Sequence, residues 1–240
     1  MGKYFYDFHL HSCLSPCGDN DMTPNNMVNM AVIAGCDIIA ITDHNTCKNA
    51  AATVAIGEQN GILVIPGMEL CTSEEAHVVC LFETVENALA FSEYVYENMP
   101  HIKNKAEVFG EQRVLDEQDE LVEIEENLLI VSSFIDSGDI SELVESYGGV
   151  AYPAHIDRDS FSIVASLGVL PEDANFSAIE LTRACDYDDF LKIHPEIEGK
   201  SVIRSSDAHY LENMLGELSQ IELPEKSAKA VIEAIKNGNI

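Results

Sequence analysis

Two histidines near the start of the chain, His9 and His11, form a His-x-His motif directly after the apolar run at residues 4–8. If this run is a β-strand, side chains two positions apart project from the same face of the sheet. Both imidazoles could therefore bind one metal ion. A His-x-His pair also arises by chance, so the hypothesis depends on whether the rest of the chain supplies further ligands.

Further possible metal ligands stand beside the other apolar runs of strand length. Side chains that follow parallel strands collect at one end of a sheet, as they do in barrel enzymes. Imidazole and carboxylate groups gathered there are costly to bury unless they are paired or bind a metal. The residues are Asp43 and His44 after the run 37–42, Glu69 after 62–68, His77 before 78–82, His155 after 149–154, and Asp207 and His209 after 202–206. By contrast, His101 and His194 lack such a position, and we interpret both as surface residues.

The elements that must position these residues are predicted as alternating strands and helices. This alternation is typical of a largely parallel sheet covered by helices, and we expect the 240 residues to form one domain. Thr23 and Pro24 predict a helix start with Gly35 as its stop, and residues 139–142 have the spacing of a capping box. A second helix is predicted at 50–59, ending at Gly61. The predicted strands are residues 4–8, 37–42, 62–66, 78–82, 149–152, 178–181 and 202–204.

The chain is strongly acidic, with 42 Asp and Glu against 13 Lys and Arg and a formal net charge of -29. This charge repels a long polyanion, so we expect no binding of long nucleic acids. Much of it lies at residues 107–126, which break the alternation of strands and helices. We predict an acidic surface hairpin or excursion at about 105–127, and interpret it as a solvated element rather than a partner-binding site.

Basic residues near the possible ligands are candidates to bind an anionic substrate. Arg158 lies three residues after His155, Arg183 follows the strand predicted at 178–181, and Lys48 lies four residues after His44. Arginine binds phosphate through two parallel hydrogen bonds. Arg204 lies inside an apolar run, and we expect it to pair with a buried carboxylate.

The cysteines and the N-terminal residues indicate a reducing compartment. Seven Cys are scattered singly, and the start of the chain lacks the apolar region of a signal peptide. We therefore predict a cytoplasmic protein, and we expect no membrane association because no apolar stretch has the length of a span. Cys13 and Cys17 lie close to the His-x-His motif, but we interpret them as packing or loop residues.

The motifs together resemble the PHP (polymerase and histidinol phosphatase) superfamily of metal-dependent phosphoesterases. The resemblance covers nearly the whole chain and implies an α/β fold, a distorted seven-stranded β/α barrel. It is carried by Asp-Phe-His-Leu-His-Ser at 7–12, Ile-Thr-Asp-His-Asn at 41–45, Pro-Gly-Met-Glu at 66–69, Pro-Ala-His at 153–155 and Ser-Asp-Ala-His at 206–209.

The resemblance also implies a trinuclear metal centre. The first metal would be held by His9, His11, Glu69 and Asp207, the second by Asp19, His44 and His209, and the third by Glu69, His77 and His155. Asp21 is an alternative to Asp19, and Asp43 would orient a neighbouring ligand rather than bind metal. Nitrogen and oxygen ligands suit Zn, Mn or Fe, whereas Mg is a poorer match, and we expect two to three ions.

The predicted function is hydrolysis of a small phosphorylated substrate by a metal-activated water, with Glu69, Asp207 and His209 as the catalytic residues. The substrate would be a nucleotide, a nucleoside bisphosphate or a short oligonucleotide. Three alternatives stay open: a phosphatase of the histidinol phosphate type, a metal-dependent amidohydrolase, and a non-catalytic metal-bound interaction module. The sequence does not predict the oligomeric state.

Overall fold

A computed structural model describes residues 1–171 and 174–240 and has an α/β architecture. The strands are β1 (Gly2–Asp7), β2 (Ile38–Ile41), β3 (Leu63–Cys71), β4 (His77–Phe82), β5 (Arg113–Leu115), β6 (Leu121–Ile124), β7 (Gly149–Pro153), β8 (Ala178–Glu180), β9 (Ser201–Ile203) and β10 (Ser219–Leu223). The α-helices are α1 (Pro24–Ala34), α2 (Ala50–Asn60), α3 (Val85–Glu97), α4 (Ala106–Phe109), α5 (Ile140–Ser146), α6 (Ile163–Leu167), α7 (Tyr187–Ile193) and α8 (Ala228–Lys236). All seven predicted strands overlap observed ones.

The main sheet has six strands in the order β10-β1-β2-β3-β4-β7. Strands β1, β2 and β3 are parallel, whereas β4 runs antiparallel to both of its neighbours. A separate parallel pair, β8 and β9, lies beside it, and Ile156 N donates to Glu180 O (2.9 Å) next to the end of β7. The main sheet is curled but open and has six strands, so the distorted seven-stranded β/α barrel predicted from the sequence is not confirmed.

Apolar packing on both faces of the main sheet fixes its position between helices. All four residues of β2 are buried, as expected for a parallel strand covered on both sides. On one face Ile39 packs in a cluster with α1, α2 and α3, and on the other Ile38 packs in a cluster with α8. No helix of the described residues is long and apolar enough to cross a membrane.

Three of the predicted helix boundaries are confirmed, whereas a predicted capping box is not formed. Thr23 caps α1, because its side chain accepts a hydrogen bond from Asn26 N, and Gly35 ends the helix at φ 77°. Gly61 ends α2 in the same way at φ 73°. Asp139 has helical backbone angles and its side chain makes no capping bond, so the capping box is not formed. A preceding turn, with Asp139 N donating to Asp136 O (3.2 Å), has already taken the chain into helical geometry.

The acidic segment contains an antiparallel hairpin of β5 and β6. Strand β6 is exposed along its whole length, but the base of the segment is anchored: Gln112 is fully buried and donates to the carbonyl oxygens of Glu125 (2.8 Å) and Asn127 (2.7 Å). At the tip, Asp119 accepts hydrogen bonds from Thr23 Oγ1 (2.6 Å) and Asn25 N (3.2 Å). The hairpin is therefore packed against the start of α1.

Candidate metal centre

Imidazole and carboxylate side chains from six segments converge at one end of the sheet. Three segments follow the carboxyl ends of β1, β2 and β7, one follows β9, and Glu69 lies within β3 opposite the start of β4. Strand β4 runs antiparallel, so its first residue reaches the same end. Most of these side chains are almost inaccessible to solvent: His9, His11, His44, Glu69, His77 and His155 are all buried.

Glu69 is the centre of the cluster, since five imidazoles surround its carboxylate. Oε1 lies 2.9 Å from His77 Nδ1 and 3.0 Å from His155 Nε2. Oε2 lies 3.1 Å from His44 Nδ1. His9 Nε2 is 3.2 Å from Oε1 and His11 Nε2 is 3.3 Å from Oε2. A carboxylate placed between so many nitrogen atoms is suited to bridging metal ions.

Asp207 closes the cluster on the other side of the His-x-His pair. Its Oδ1 lies 3.2 Å from His11 Nε2 and 3.4 Å from His9 Nε2, and Oδ2 lies 2.7 Å from Arg158 Nη2. Asp207 and His155 both have left-handed backbone angles, at φ 51° and φ 29°. Non-glycine residues in this conformation are strained, and such strain concentrates at functional sites.

The hydrogen bonds behind the first two imidazoles fix which nitrogen faces the centre. His9 Nδ1 donates to Glu180 Oε2 (2.9 Å), since a carboxylate only accepts. Ser15 Oγ donates to Asp43 Oδ1 (2.7 Å) and therefore accepts from His11 Nδ1 (3.1 Å). Each neutral imidazole thus presents an unprotonated Nε2. The carboxylate, imidazole and metal arrangement of metalloenzymes has this pattern.

The atoms left without partners test whether a metal fits this site. His9 Nε2 and His11 Nε2 face each other at 3.2 Å, so two lone pairs point at one region beside two carboxylates. His44 Nδ1, His77 Nε2, His155 Nδ1 and Asp207 Oδ1 are buried without a hydrogen bond among the described residues. A divalent cation in the cluster would satisfy His44 Nδ1 and Asp207 Oδ1, whereas His77 and His155 face Glu69 with their other ring nitrogens. The imidazole and carboxylate set has the chemistry that Zn, Mn and Fe accept.

Three groups of ligand atoms lie close enough to share an ion, with each group's atoms within 4.8 Å of one another. Two of them are built around Glu69, with His9 and His11 in one and His44 and His77 in the other. The third combines His11, His44 and His209 with Cys17. Asp19, the residue expected here, belongs to none of the groups found in the described chain.

Several side chains of the cluster have pKa values far from their usual range. Burial raises the pKa of Glu69, but the imidazoles of His77 and His9 outweigh it and hold the pKa well below its usual range. Burial lowers the pKa of His77, yet Glu69 raises it to about 10. Burial and the nearby His11 lower the pKa of His209 to about 4. Since ligands must be deprotonated to bind a metal, binding here would release protons.

The three basic candidates have different surroundings. Arg158 pairs with Asp207, and Arg183 Nη2 lies 3.3 Å from the buried Asp7 Oδ2. Both arginines line a small cavity of ≈ 60 Å³ that also reaches His155 and Asp207. Lys48 instead pairs with the hairpin, at 2.8 Å from Glu123 Oε1 and 2.6 Å from Glu125 Oε2. The arrangement leaves Arg158 and Arg183 beside the metal cluster and holds Lys48 in other contacts.

Arg204 does not pair with a carboxylate as the sequence suggested. Its guanidinium donates to the backbone carbonyl of Thr182 and to that of Cys185 (2.9 Å). Both carbonyls belong to the loop that follows β8. His101 is exposed, as predicted, and His194 is half-buried next to Glu196 (3.2 Å).

Sequence reasoning missed several residues that shape the centre. Glu180 orients His9, Ser15 orients His11, and Asp7 holds Arg183. Glu180 gave a usable signal, because it is a charged residue inside an apolar strand-length run. Cys17 was assigned to packing, and its approach to the imidazoles depends on a turn whose geometry the sequence pattern does not specify.

The chain belongs to the PHP domain family, whose sequence profile matches residues 7–165. The matched region contains the His-x-His motif, Glu69, His77 and His155. The resemblance seen in the motifs is therefore confirmed. The α/β fold described above is consistent with membership of this family.

Several known proteins are similar to this chain in sequence or in structure. An uncharacterized protein of Methanocaldococcus jannaschii is 31% identical over 84 residues, which are 32% of this chain and 48% of that protein. The endonuclease Q of Pyrococcus furiosus, a lesion-specific endonuclease, is similar in structure with a TM-score of 0.73 and 16% identity over 98% of this chain. A candidate metal-dependent phosphoesterase from Bifidobacterium adolescentis has a TM-score of 0.61 and 16% identity, covering 98% of this chain and 96% of that one.

This chain spans about half the length of two of these proteins: 48% of the Methanocaldococcus protein and 56% of endonuclease Q. Another structure of endonuclease Q, with a TM-score of 0.68 and 15% identity, holds a 27-mer duplex with an abasic lesion at its active site. Because the solved structures are only 15–16% identical in sequence, their similarity to this chain shows the fold alone.

Proposed function

We propose that this chain is a metal-dependent phosphoesterase that hydrolyses a small phosphorylated substrate. The observation that carries the proposal is the Glu69 carboxylate with five imidazoles at 2.9–3.3 Å, next to two arginines. Nitrogen and oxygen donors gathered around a bridging carboxylate are suited to two or three ions of Zn, Mn or Fe. Membership of the PHP family supports the same kind of activity.

The proposed ligand sets are those that the family resemblance implies, and the group of His9, His11 and Glu69 observed in the structure supports the first of them. His9, His11, Glu69 and Asp207 would hold one metal, and Glu69 with His77 and His155 would hold another. His44 and His209 would hold the remaining ion, for which the family resemblance names Asp19 as a further ligand. When bound, such ions polarise phosphoryl oxygens and activate a water molecule as the nucleophile.

The residues around the ligands would bind and orient the substrate. Arg158 and Arg183 line one cavity and could both donate to a phosphate group, which would displace part of their pairing with Asp207 and Asp7. His209 Nδ1 donates to Asp207 O (2.9 Å), so its Nε2 is left to accept a metal or a proton. Its side chain is 23% exposed, more than the other imidazoles of the cluster, and it can therefore exchange protons with solvent.

The charge of the chain supports a small substrate over a long polyanion. A net charge of -29 repels an extended nucleic acid, while two arginines beside the metal cluster attract a single phosphate group. The duplex held by endonuclease Q makes DNA the main rival substrate within this fold. A nucleotide, a nucleoside bisphosphate or a short oligonucleotide is the substrate class we propose.

The test measures metal content together with hydrolysis of bis-p-nitrophenyl phosphate, p-nitrophenyl phosphate and a duplex oligonucleotide with an abasic site. The wild type is compared with H9A and D207N, and H101A serves as a matched histidine control outside the centre. Two or three metals per chain, with turnover lost in H9A and D207N only, is the expected result. Bound metal without turnover of any ester would refute the proposal and favour the amidohydrolase or interaction-module alternative.

A further inference from the structure

We propose that Cys17 binds metal as a thiolate, together with His44 and His209 and beside His11, and that it takes the position for which Asp19 was expected. This inference rests on the proposed metal centre and specifies the chemistry of one of its ions. A sulfur ligand would distinguish that ion from the others, which are surrounded by nitrogen and oxygen donors.

The four side chains form a compact donor set. The Cys17 sulfur and one nitrogen from each of the three imidazoles all lie within 4.8 Å of one another. The ring of His11 lies 4.2 Å from that of His209 and 4.6 Å from that of His44, measured between centroids. His11 Nδ1 donates to Ser15 and its Nε2 faces Glu69, so Cys17, His44 and His209 supply one sulfur and two nitrogen donors to this ion. Three protein ligands with an open fourth position are the set found in catalytic Zn sites.

A tight turn holds Cys17 towards the imidazoles. Gly18 N donates to Ser15 O (2.9 Å), which closes a four-residue turn with Pro16 at its second position, where proline is favoured. A Cβ atom on Gly18 would lie 2.2 Å from Ser12 O, so only glycine allows the chain to pass this closely. Ser15 also accepts from His44 N (3.1 Å), and the same turn therefore fixes one of the proposed ligands.

Buried atoms without partners are a second observation that points to a ligand at this position. His44 is 3% exposed, and its Nδ1, which lies 3.1 Å from Glu69 Oε2, makes no hydrogen bond among the described residues. His44 belongs both to the group with Cys17 and to the group with Glu69 and His77. An ion beside Cys17 would therefore lie next to the Glu69 site, as expected for one centre with several metals.

The surroundings of Asp19 favour Cys17 as the ligand. Asp19 Oδ1 accepts a hydrogen bond from Asp21 N (2.9 Å), so the carboxylate closes its own local turn. Asp19 N donates to His209 O (2.9 Å), which ties the loop to the His209 segment through the backbone. Asp21 is exposed. The carboxylates therefore shape the loop, and the thiol is the group that approaches the imidazoles.

A thiolate ligand would change the metal preference of the site. The sulfur–metal bond forms as the thiol releases its proton to solvent, and no oxidation or reduction is involved. Soft thiolate ligands select Zn and Fe over Mn and Mg. The substitution C17D replaces the soft thiolate by a hard carboxylate. We therefore expect the ratio of the Zn affinity to the Mn affinity to fall at least about tenfold.

The experiment loads metal-depleted protein with Co²⁺ under anaerobic conditions and records the absorption spectrum. Thiolate ligation gives a near-ultraviolet sulfur-to-cobalt charge-transfer band. We expect this band in the wild type and in C13A, whose cysteine lies in the same loop but contacts Arg113 O (3.8 Å). We expect C17D to lose the band while it still binds Co²⁺, and circular dichroism checks that both variants are folded.

The outcomes separate this inference from the proposed function. Bound Co²⁺ without the band, or a band that persists in C17D, would overturn thiolate ligation by Cys17 even if phosphoester hydrolysis is observed. A protein that binds no Co²⁺ at all would overturn both the inference and the metal centre on which it rests. If C17D loses the band and C13A keeps it, and the wild type turns over phosphoesters, the result would support both thiolate ligation and the proposed function.

Discussion

Glu180 is predicted to control metal affinity although it touches no proposed metal position. Its Oε2 accepts from His9 Nδ1 (2.9 Å) and from His155 N (3.1 Å), while the whole residue is 2% exposed. One carboxylate thus orients two proposed ligands. The substitution E180Q keeps an oxygen acceptor for His9, removes the charge and replaces the second carboxylate oxygen by an amide nitrogen.

The magnitude follows from the hydrogen bond that changes. A bond to a charged group contributes about 1.5–3 kcal/mol, and one between neutral groups about 0.5–1.5 kcal/mol. The difference of about 1–1.5 kcal/mol corresponds to a roughly five- to tenfold loss of affinity for the ion at His9. E180A removes the acceptor entirely, and we expect a loss of about 10–100-fold.

The assay is competition for Zn²⁺ against a fluorescent chelator, with kcat for a p-nitrophenyl ester measured in parallel. E222Q is the matched control, because Glu222 pairs with Lys3 (3.1 Å) on the surface and its side chain is 55% exposed. Affinity and turnover at the wild-type level in E180Q would refute the reasoning. Thermal unfolding of each variant separates a change in metal binding from a loss of folded protein.

Three further predictions follow from the charges and contacts of the site. R158A and R183A should each raise KM for a phosphoester about tenfold or more while metal content stays unchanged, because a charged donor to phosphate is lost; an unchanged KM in steady-state kinetics would remove that residue from the substrate site. K48M should leave KM unchanged but lower Tm, because it leaves the buried Glu125 without the ammonium group at 2.6 Å. Each kcal/mol of unfolding free energy that is lost lowers Tm by roughly 2–4 °C. A raised KM in the same assay would instead place Lys48 in the substrate site. Removal of metal with a chelator should lower Tm, because a ligand present at about 100 times its Kd stabilises the folded state by about 2.7 kcal/mol; an unchanged Tm in differential scanning fluorimetry would contradict tight binding by the folded chain.

The sequence predicted the strands and the possible metal ligands because both depend on local patterns. Apolar runs of strand length marked β1, β2, β4, β7 and β9, and a polar residue next to each run was visible as an exception to it. Glu69 shows the limit of this reasoning. It was expected after its strand, but β3 continues to Cys71 and places Glu69 inside the sheet opposite Val79.

The closure of the sheet and the orientation of the ligands could not be predicted in the same way. Strand β10 pairs with β1 at an edge that a seven-stranded barrel would leave for another strand, and no local pattern specifies which strands meet. The bond between His9 and Glu180 joins residues 171 positions apart. The position of Cys17 depends on a turn that forms only when Gly18 passes close to Ser12. Such contacts depend on tertiary packing, which propensity does not encode.

The acidic hairpin is connected to the proposed metal centre by hydrogen bonds of Asn49. Asn49 Nδ2 donates to Ser12 Oγ (2.9 Å) and to Arg113 O (3.1 Å), and its Oδ1 accepts from Leu115 N (2.9 Å). Ser12 Oγ in turn donates to Asp43 Oδ2 (2.7 Å), the carboxylate that holds Ser15 against His11. A continuous chain of hydrogen bonds thus runs from β5 to a proposed metal ligand. Strand β6 is exposed and its one charged residue, Glu123, pairs with Lys48, whereas β5 fixes the loop on which the His-x-His motif ends.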